Sequence, residues 1–406
     1  MKIRLESVYK IFGKEPQEVL ELLKKGETKS EIYEETGQVI AVNDVSLDIS
    51  TGETFVVMGL SGSGKSTLLR CVNRLVDPTL GKIYFKKNGE ELEITSLNQT
   101  KLREIRTHNI TMVFQHFALF PRRTVLSNVT FGLEIQKKPK EHQGKKALEM
   151  LELVGLKEWS DSYPSELSGG MKQRVGLARA LATEAKILLM DEPFSALDPL
   201  IRLRMQDELL KVQNKLKRTI FFVTHDLDEA LRLGDRIAIM EEGGIVQVGT
   251  PEEIIIDPRT EYVANFVKNA DPSGVLTAGK MINSAAKATF VSPKYYLLDN
   301  KTNLTLELDE DNHPIRAHIE NQSFLIKSYP DIQEGETSLI LVSENTVLRD
   351  IMKAKVCCNF PLVIVSRDKK FRGIITEKDI LKTLLMKGKE RDLGSRNVQK
   401  EEELEK

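Results

Sequence analysis

Gly59-Leu60-Ser61-Gly62-Ser63-Gly64-Lys65-Ser66 has the clearest capacity for chemistry in this chain, fitting G-x-x-x-x-G-K-[ST] in full. An apolar strand-like run, Thr54–Met58, precedes it, and a helix-like run, Thr67–Leu75, follows. Glycines at this spacing let the backbone curl so that successive N–H groups point inward at phosphate oxygens, and the helix start adds positive potential. Lys65 supplies a mobile charge for β- and γ-phosphates, and the Ser66 hydroxyl is a ligand for Mg²⁺. A second set lies at Lys186-Ile187-Leu188-Leu189-Met190-Asp191-Glu192, where an apolar strand ends in two carboxylates. Open α/β sheets bind their ligands at such carboxyl ends of strands. Asp191 is suited to hold the water shell of Mg²⁺, and Glu192 to orient and deprotonate an attacking water. An acidic pair closing a strand is often only a solvated turn. Paired with the phosphate loop, it reads as a hydrolytic centre.

Three further polar residues fall at the ends of expected strands or in the loops after them. Gln115 follows Thr111–Phe114, where its amide can sense Mg²⁺ and the γ-phosphate, and His225 follows Thr219–Thr224. Asp198 closes Ser195-Ala196-Leu197-Asp198, shortly after Glu192. Taken singly, each has an ordinary loop or core explanation. Leu167-Ser168-Gly169-Gly170-Met171 is more specific: a hydroxyl and two glycine N–H groups opening a helix over Met171–Leu181 make a second anion site.

The elements that must position these groups follow from periodicity. Apolar strands at Phe55–Met58, Thr111–Phe114, Ile187–Met190, Thr219–Val223 and Arg236–Met240 alternate with amphipathic helices, which predicts a largely parallel α/β sheet. A first strand, Ile3–Tyr9, ends near Phe12, and a charged insertion occupies 14–38. Val19, Leu20, Leu22 and Leu23 mark one short helix that Gly26 can end, and Thr28-Lys29-Ser30-Glu31 offers a capping box for another. Residues 39–49 again read as strand. A connector over 246–270, helical from 251, completes a first domain of 1–270, and residues 275–390 form a smaller α+β region. A charged tail, 391–406, closes the chain and is expected to be disordered.

Composition narrows the function classes. The chain has 406 residues, room for two or three domains, and its formal net charge of -1 gives no basic field for nucleic acid. The first residues, Met1-Lys2-Ile3-Arg4-Leu5-Glu6, lack the apolar core of a signal peptide. No run approaches the ~18 consecutive apolar residues of a membrane-spanning helix. Cys71, Cys357 and Cys358 lack ligand-like spacing and suit a reduced compartment, and the six histidines show no metal-ligand spacing. A soluble cytosolic protein is expected.

Together the motifs resemble the ATP-binding-cassette (ABC) ATPases over nearly all of 1–245: phosphate loop (Gly59–Ser66), Gln115, signature (Leu167–Met171), acidic strand end (Ile187–Glu192), D-loop (Ser195–Asp198) and switch histidine (His225), in family order. The resemblance implies a P-loop α/β fold, with a mostly parallel sheet core and a helical subdomain. It implies ATP held by Gly59, Ser61, Gly62, Gly64, Lys65, Ser66 and Thr67, and Mg²⁺ held by Ser66, Gln115 and Asp191. Glu192, His225 and Gln115 would be the catalytic set. It also implies a head-to-tail homodimer in which Ser168, Gly169 and Gly170 of one copy complete the other's site, and it makes Asp198 the D-loop aspartate. The family stacks adenine on an aromatic near the end of the first strand, here Phe12, with Tyr9 as runner-up. Met171 departs from the more usual glutamine and is expected to alter helix packing rather than abolish activity.

A transport role requires separate membrane subunits. Val113-Phe114-Gln115-His116-Phe117-Ala118-Leu119-Phe120-Pro121 follows the form of importer Q-loops, whose apolar residues would dock a coupling helix of a permease. The whole chain resembles the ATPase subunits of glycine betaine/proline betaine (quaternary-amine) importers. That implies two permease subunits, a substrate-binding domain or protein, and residence at the cytoplasmic face of the cell membrane. An importer ATPase for another small solute such as an amino acid, and a non-transport ABC ATPase, are the alternatives. Pro361–Leu381 resembles a CBS module, with Gly373-x-x-Thr376-x-x-Asp379 matching its ribose-phosphate motif. Thr376 and Asp379 would then hold a regulatory adenine or cyclic dinucleotide, although Thr-x-x-Asp is also a plain helix cap. The second repeat spans about 335–388. A first, degenerate repeat is expected in 275–330, where Pro314-Ile315-Arg316-Ala317-His318-Ile319-Glu320 lacks the motif residues.

Overall fold

In a computed structural model of the chain, residues 2–87, 89–115, 118–282, 288–292, 294–320, 322–332 and 338–385 are described. The expected tail 391–406, and His116 and Phe117 of the expected docking surface, lie outside them. The chain divides into two units, Met1–Val267 and Lys268–Lys406.

The first unit opens with strand β1 (Lys2–Phe12). Helices α1 (Pro16–Lys24) and α2 (Lys29–Thr36) come next, then β2 (Val39–Ile49) and β3 (Thr54–Met58). After them come helix α3 (Lys65–Val72), strands β4 (Leu80–Lys87) and β5 (Glu90–Glu93), helix α4 (Gln99–His108) and strand β6 (Ile110–Val113). Helices α5 (Val125–Ile135), α6 (Lys140–Leu153) and α7 (Gly169–Ala182) form the helical part, the subdomain the resemblance implies. Strand β7 (Ile187–Asp191), helix α8 (Pro199–Leu216), β8 (Thr219–Thr224), α9 (Leu227–Leu233), β9 (Arg236–Glu241) and β10 (Gly244–Gly249) complete the core. Helices α10 (Pro251–Ile256) and α11 (Glu261–Val267) form the connector.

The central sheet has the order β10-β9-β3-β8-β7-β6. All its pairings are parallel except β9–β10, so strands read as distant segments become neighbours. β3, β7 and β8 are buried throughout, which explains their unbroken apolar composition. A separate antiparallel sheet, β2-β1-β4-β5, lies across one core from it. Ile3, Leu5, Val45 and Phe85 of that sheet pack there with Phe55, Phe221 and Leu68. Its strands β4 and β5 did not stand out in the sequence, because β4 reads as a charged, glycine-containing segment between turns. Insertion helices α1 and α2 bury Val19, Leu20, Leu22 and Ile32 against Ile11 and Ile40. Gln38 closes the neck of the insertion by accepting from Glu15 N (3.1 Å) and donating to Glu15 O (3.1 Å). Thr28 and Glu31 form the expected capping box, and Gly26 ends the turn after α1 with φ +87.

The second unit departs from the expectation in its first half. Five antiparallel strands occupy the segment where the first α+β repeat was expected: β11 (Thr289–Ser292), β12 (Tyr295–Asp299), β13 (Leu304–Leu308), β14 (Pro314–Ile319) and β15 (Gln322–Phe324). Pro314–Ile319 is thus the fourth strand of a meander. The reason is local: Asp299-Asn300-Lys301-Thr302-Asn303 and Asp309–His313 are strong turn sequences, and they fold the chain straight back into hairpins. The second half matches its expected pattern. Strands β16 (Ile326–Ser328) and β17 (Leu339–Ser343) precede helix α13 (Leu348–Val356), then come β18 (Leu362–Val365), β19 (Phe371–Ile375) and helix α14 (Glu377–Leu385). One face of this sheet packs on α13, α14 and helix α12 (Ala278–Ile282) through Ile340, Ile364 and Ile375. The other face packs on the meander, Leu339, Val363 and Ile374 meeting Leu304, Leu306 and Ala317. The unit is therefore three layers, with a separate apolar core on each face of this sheet.

Candidate active site

Strand order builds the site. β3, β8 and β7 are parallel neighbours, with Met58 opposite Thr224 and Asp191 opposite Val223. Their carboxyl ends therefore present the phosphate loop, His225 and the Asp191–Glu192 pair side by side. β6 adds Gln115 from the far edge, two residues past Val113, which pairs with Met190.

The loop between β3 and α3 must run against a wall. Gly64 caps α3 at φ +97, and a Cβ there would collide with the carbonyl oxygen of Ala41 on β2, so only glycine fits. Lys65 is buried and donates to Leu60 O (2.7 Å). Burial lowers its pKa, against the opposing pull of Glu192 and Asp191. Its ammonium is thus held inside the loop. Ser61 and Gly62 are exposed on the loop, with Ser66 and Thr67 half-buried behind them.

Ser66 and Asp191, both expected at Mg²⁺, meet across the strand order β3-β8-β7. The Ser66 hydroxyl donates to Asp191 Oδ1 (2.6 Å), and Arg70 donates to Asp191 Oδ2 (3.1 Å). Asp191 is fully buried, so the arginine supplies the countercharge a carboxylate needs there. Arg70 was missed in the sequence; its signal is the four-residue spacing from Ser66, which puts both on one face of α3. Hydroxyl and carboxylate oxygens fit a hard, oxygen-loving cation such as Mg²⁺.

Glu192 is the meeting point of the second group. Gln115 Nε2 lies 3.4 Å and His225 Nδ1 3.2 Å from its Oε2. Its backbone sits at φ 47, a region that costs a non-glycine residue roughly 1–3 kcal/mol. Four backbone bonds hold it there, one of them from Ser195 N to its carbonyl (3.4 Å). Its N–H donates to Val223 O (3.0 Å), while its carbonyl accepts from Ser195 Oγ (3.1 Å) and Gln173 Nε2 (3.3 Å). Asp198 caps α8 through Ile201 N (3.0 Å), which fixes the loop 195–198. Arg202, also missed, joins this loop to the histidine: it donates to Leu197 O (3.2 Å) and pairs with Asp226 (3.1 Å), the residue after His225. Asp226 in turn caps α9. Buried Glu229 accepts from the Thr224 hydroxyl (2.7 Å), just before His225, and burial raises its pKa.

The remaining predicted groups make contacts of their own. Ser168 caps α7, its hydroxyl accepting from Met171 N (3.3 Å), and Ser168 and Gly169 are exposed. Phe12 is 46% exposed with Lys10 over one ring face at 4.9 Å. Tyr9 instead packs against the insertion cluster, and burial with nearby Asp44 raises its pKa. In the second unit, Thr376 and Asp379 satisfy each other. Thr376 N and the Thr376 hydroxyl both donate to Asp379 Oδ2, the former at 2.9 Å, as in a helix cap. The motif residues therefore bond each other at the start of α14.

A phosphate loop, a paired buried carboxylate and a second carboxylate touched by glutamine and histidine, all at adjacent parallel strand ends, define a P-loop nucleoside triphosphatase. The family model described as ABC transporter matches residues 42–195. The glycine betaine transport ATP-binding protein OpuAA of Bacillus subtilis (strain 168) is 45% identical, covering 95% of this chain and 92% of that protein. The glycine betaine/carnitine transport ATP-binding protein GbuA of Listeria monocytogenes serotype 1/2a (strain 10403S) is 46% identical over 94% and 97%. Among solved structures, a dimeric bacterial ABC transporter cassette, MJ0796, superposes with a TM-score of 0.52 at 33% identity, covering 61% of this chain and 98% of that one. This chain belongs to the ABC transporter family, as one of its ATP-binding, ATP-hydrolysing subunits. Among its described residues no helix is long and apolar enough to cross a membrane.

Proposed function

We propose that this chain energises an importer for glycine betaine, proline betaine or a related quaternary-amine osmoprotectant. It works as a homodimer at the cytoplasmic face of the cell membrane, with two permease subunits and a substrate-binding domain or protein. The observation that carries the catalytic part is the convergence of Gln115 and His225 on Glu192 Oε2, at 3.4 and 3.2 Å. The solute rests on the relatives, which include the glycine betaine/proline betaine transport ATP-binding protein ProV of Escherichia coli (strain K12), 42% identical over 96% of this chain.

In this reading Lys65 leaves Leu60 O for the β- and γ-phosphates, and the N–H groups of the loop take the remaining oxygens. Ser66, Gln115 and Asp191 would hold Mg²⁺, which would neutralise charge on the phosphate oxygens. Glu192 accepts the proton of the attacking water, and His225 on the same carboxylate orients it and approaches the γ-phosphate. Phe12 offers its exposed ring to adenine. Exposed Ser168 and Gly169, with Gly170, close on the ATP of the other copy.

Regulation is assigned to the second unit. A regulatory adenine or cyclic dinucleotide at Thr376 and Asp379 has to displace the cap those residues now form. Reconstitution with the permease in vesicles tests both parts. ATP-driven uptake of labelled glycine betaine is expected, and uptake of an amino acid in its place would replace the solute assignment. A chain ending after Asn269 should keep ATPase activity and lose its response to ionic strength or nucleotide; an unchanged response would remove the sensor role.

A further inference from the structure

The function above leaves one buried polar side chain beside the base unused. Gln173, on α7, is 2% exposed. Its Nε2 donates to Glu192 O at 3.3 Å, and its Oε1 is buried with no protein partner. A half-satisfied buried amide is costly, which makes Gln173 a poor choice for mere packing. Its position on the helix gives it another use. α7 begins at Gly169, capped by Ser168, and Gln173 follows about one turn later. The start of the same helix also abuts the D-loop, where a Cβ on Gly170 would lie 3.3 Å from Leu197 Cδ2 and 3.6 Å from Ala196 O. One rigid helix therefore carries the anion site at its tip and grips the segment 192–197 along its side.

From this we infer that Gln173 is a positioning residue that transmits occupancy of Ser168–Gly170 by the partner copy's nucleotide to this copy's own base, Glu192. The inference rests on the head-to-tail dimer proposed above. Glu192 sits at a left-handed φ of 47, and its carbonyl accepts from only two side chains among the described residues, Gln173 and Ser195. A shift of α7 on closing over phosphate moves the Gln173 amide, and with it the peptide that aims the Glu192 carboxylate. Each site's chemistry then depends on the other's nucleotide.

The test is the ATP dependence of ATPase rate in the full-length protein. Gln173→Met keeps volume and helix propensity but cannot donate. It should lower kcat about tenfold with half-saturation within about twofold, and bring the Hill coefficient from above unity to about 1. Gln173→Asn keeps the amide but shortens its reach, gives the same result, and carries the test if the methionine variant does not fold by circular dichroism. A folded variant with wild-type kcat and Hill coefficient overturns the inference. So does a lowered kcat with unchanged cooperativity, which would mean a structural role alone. If the wild type itself is non-cooperative and Glu192→Gln forms no ATP-dependent dimer by gel filtration, the dimer reading fails and takes the inference with it.

Discussion

Each unit of this protein contains a hydroxyl bonded to an aspartate, and the two pairs mean different things. Ser66 and Asp191 are 125 residues apart in sequence and meet at 2.6 Å only because β3 and β7 flank β8. Thr376 and Asp379 are three apart and meet across the first turn of α14. The second pair has a complete local explanation: it satisfies a helix N-terminus, as such residues do in many unrelated helices. The first has none, since a buried carboxylate must be neutralised by Arg70 to be kept there. A polar contact that local geometry already requires says little about function, whereas one that long-range topology must assemble at a cost says much.

Substitutions can break that contrast. The largest effect is expected at Glu192. Glu192→Gln keeps the shape beside Gln115 and His225 but cannot take a proton, so turnover should fall by at least ~100-fold while ATP still binds; near-normal phosphate release would refute the role. Ser66→Ala removes the hydroxyl from Asp191 and should weaken Mg²⁺-dependent ATP binding about tenfold, ~1.4 kcal/mol by titration. If affinity is the same with and without Mg²⁺, the long-range pair is structural after all. Thr376→Val should cost the second unit about 1 kcal/mol of stability in urea and leave ATPase rates alone. Loss of nucleotide binding by the second unit, with stability unchanged, would show that its pair is a ligand site and not a cap.

The smallest effect is a change of slope. Burial raises the pKa of Glu229, so the folded state holds that proton more tightly than the unfolded chain does. The resulting stability is fully present below the unfolded carboxyl pKa and is lost as pH rises through the folded one. Glu229→Gln should remove this fall in stability as pH rises above the unfolded carboxyl pKa. Parallel urea midpoints for the two proteins as pH rises from there would count against a raised Glu229 pKa.

Much of the cassette was legible before any coordinates, because its signals are local. Glycine spacing, an unbroken apolar strand and the Thr28–Glu31 box each report on a few consecutive residues, and the strands at 54–58, 187–191 and 219–224 fell where expected. The meander over 289–324 was not legible as such. Its turn residues were visible, but a resemblance anchored at Pro361–Leu381 suggested a second copy of that pattern upstream, and hairpin turns overrode it.

The sequence by itself determined which groups exist to do chemistry and the order in which they follow strands, because phosphate loops, caps and periodicity act over less than two helical turns. Tertiary structure decided which of them act together. It brought Gln115, His225 and Gln173 to Glu192 and gave Asp191 its arginine. The physical reason is the same throughout. Hydrogen bonds and ion pairs reach only about 3 Å, and in a parallel sheet the strand order, not the separation in sequence, decides which side chains come that close.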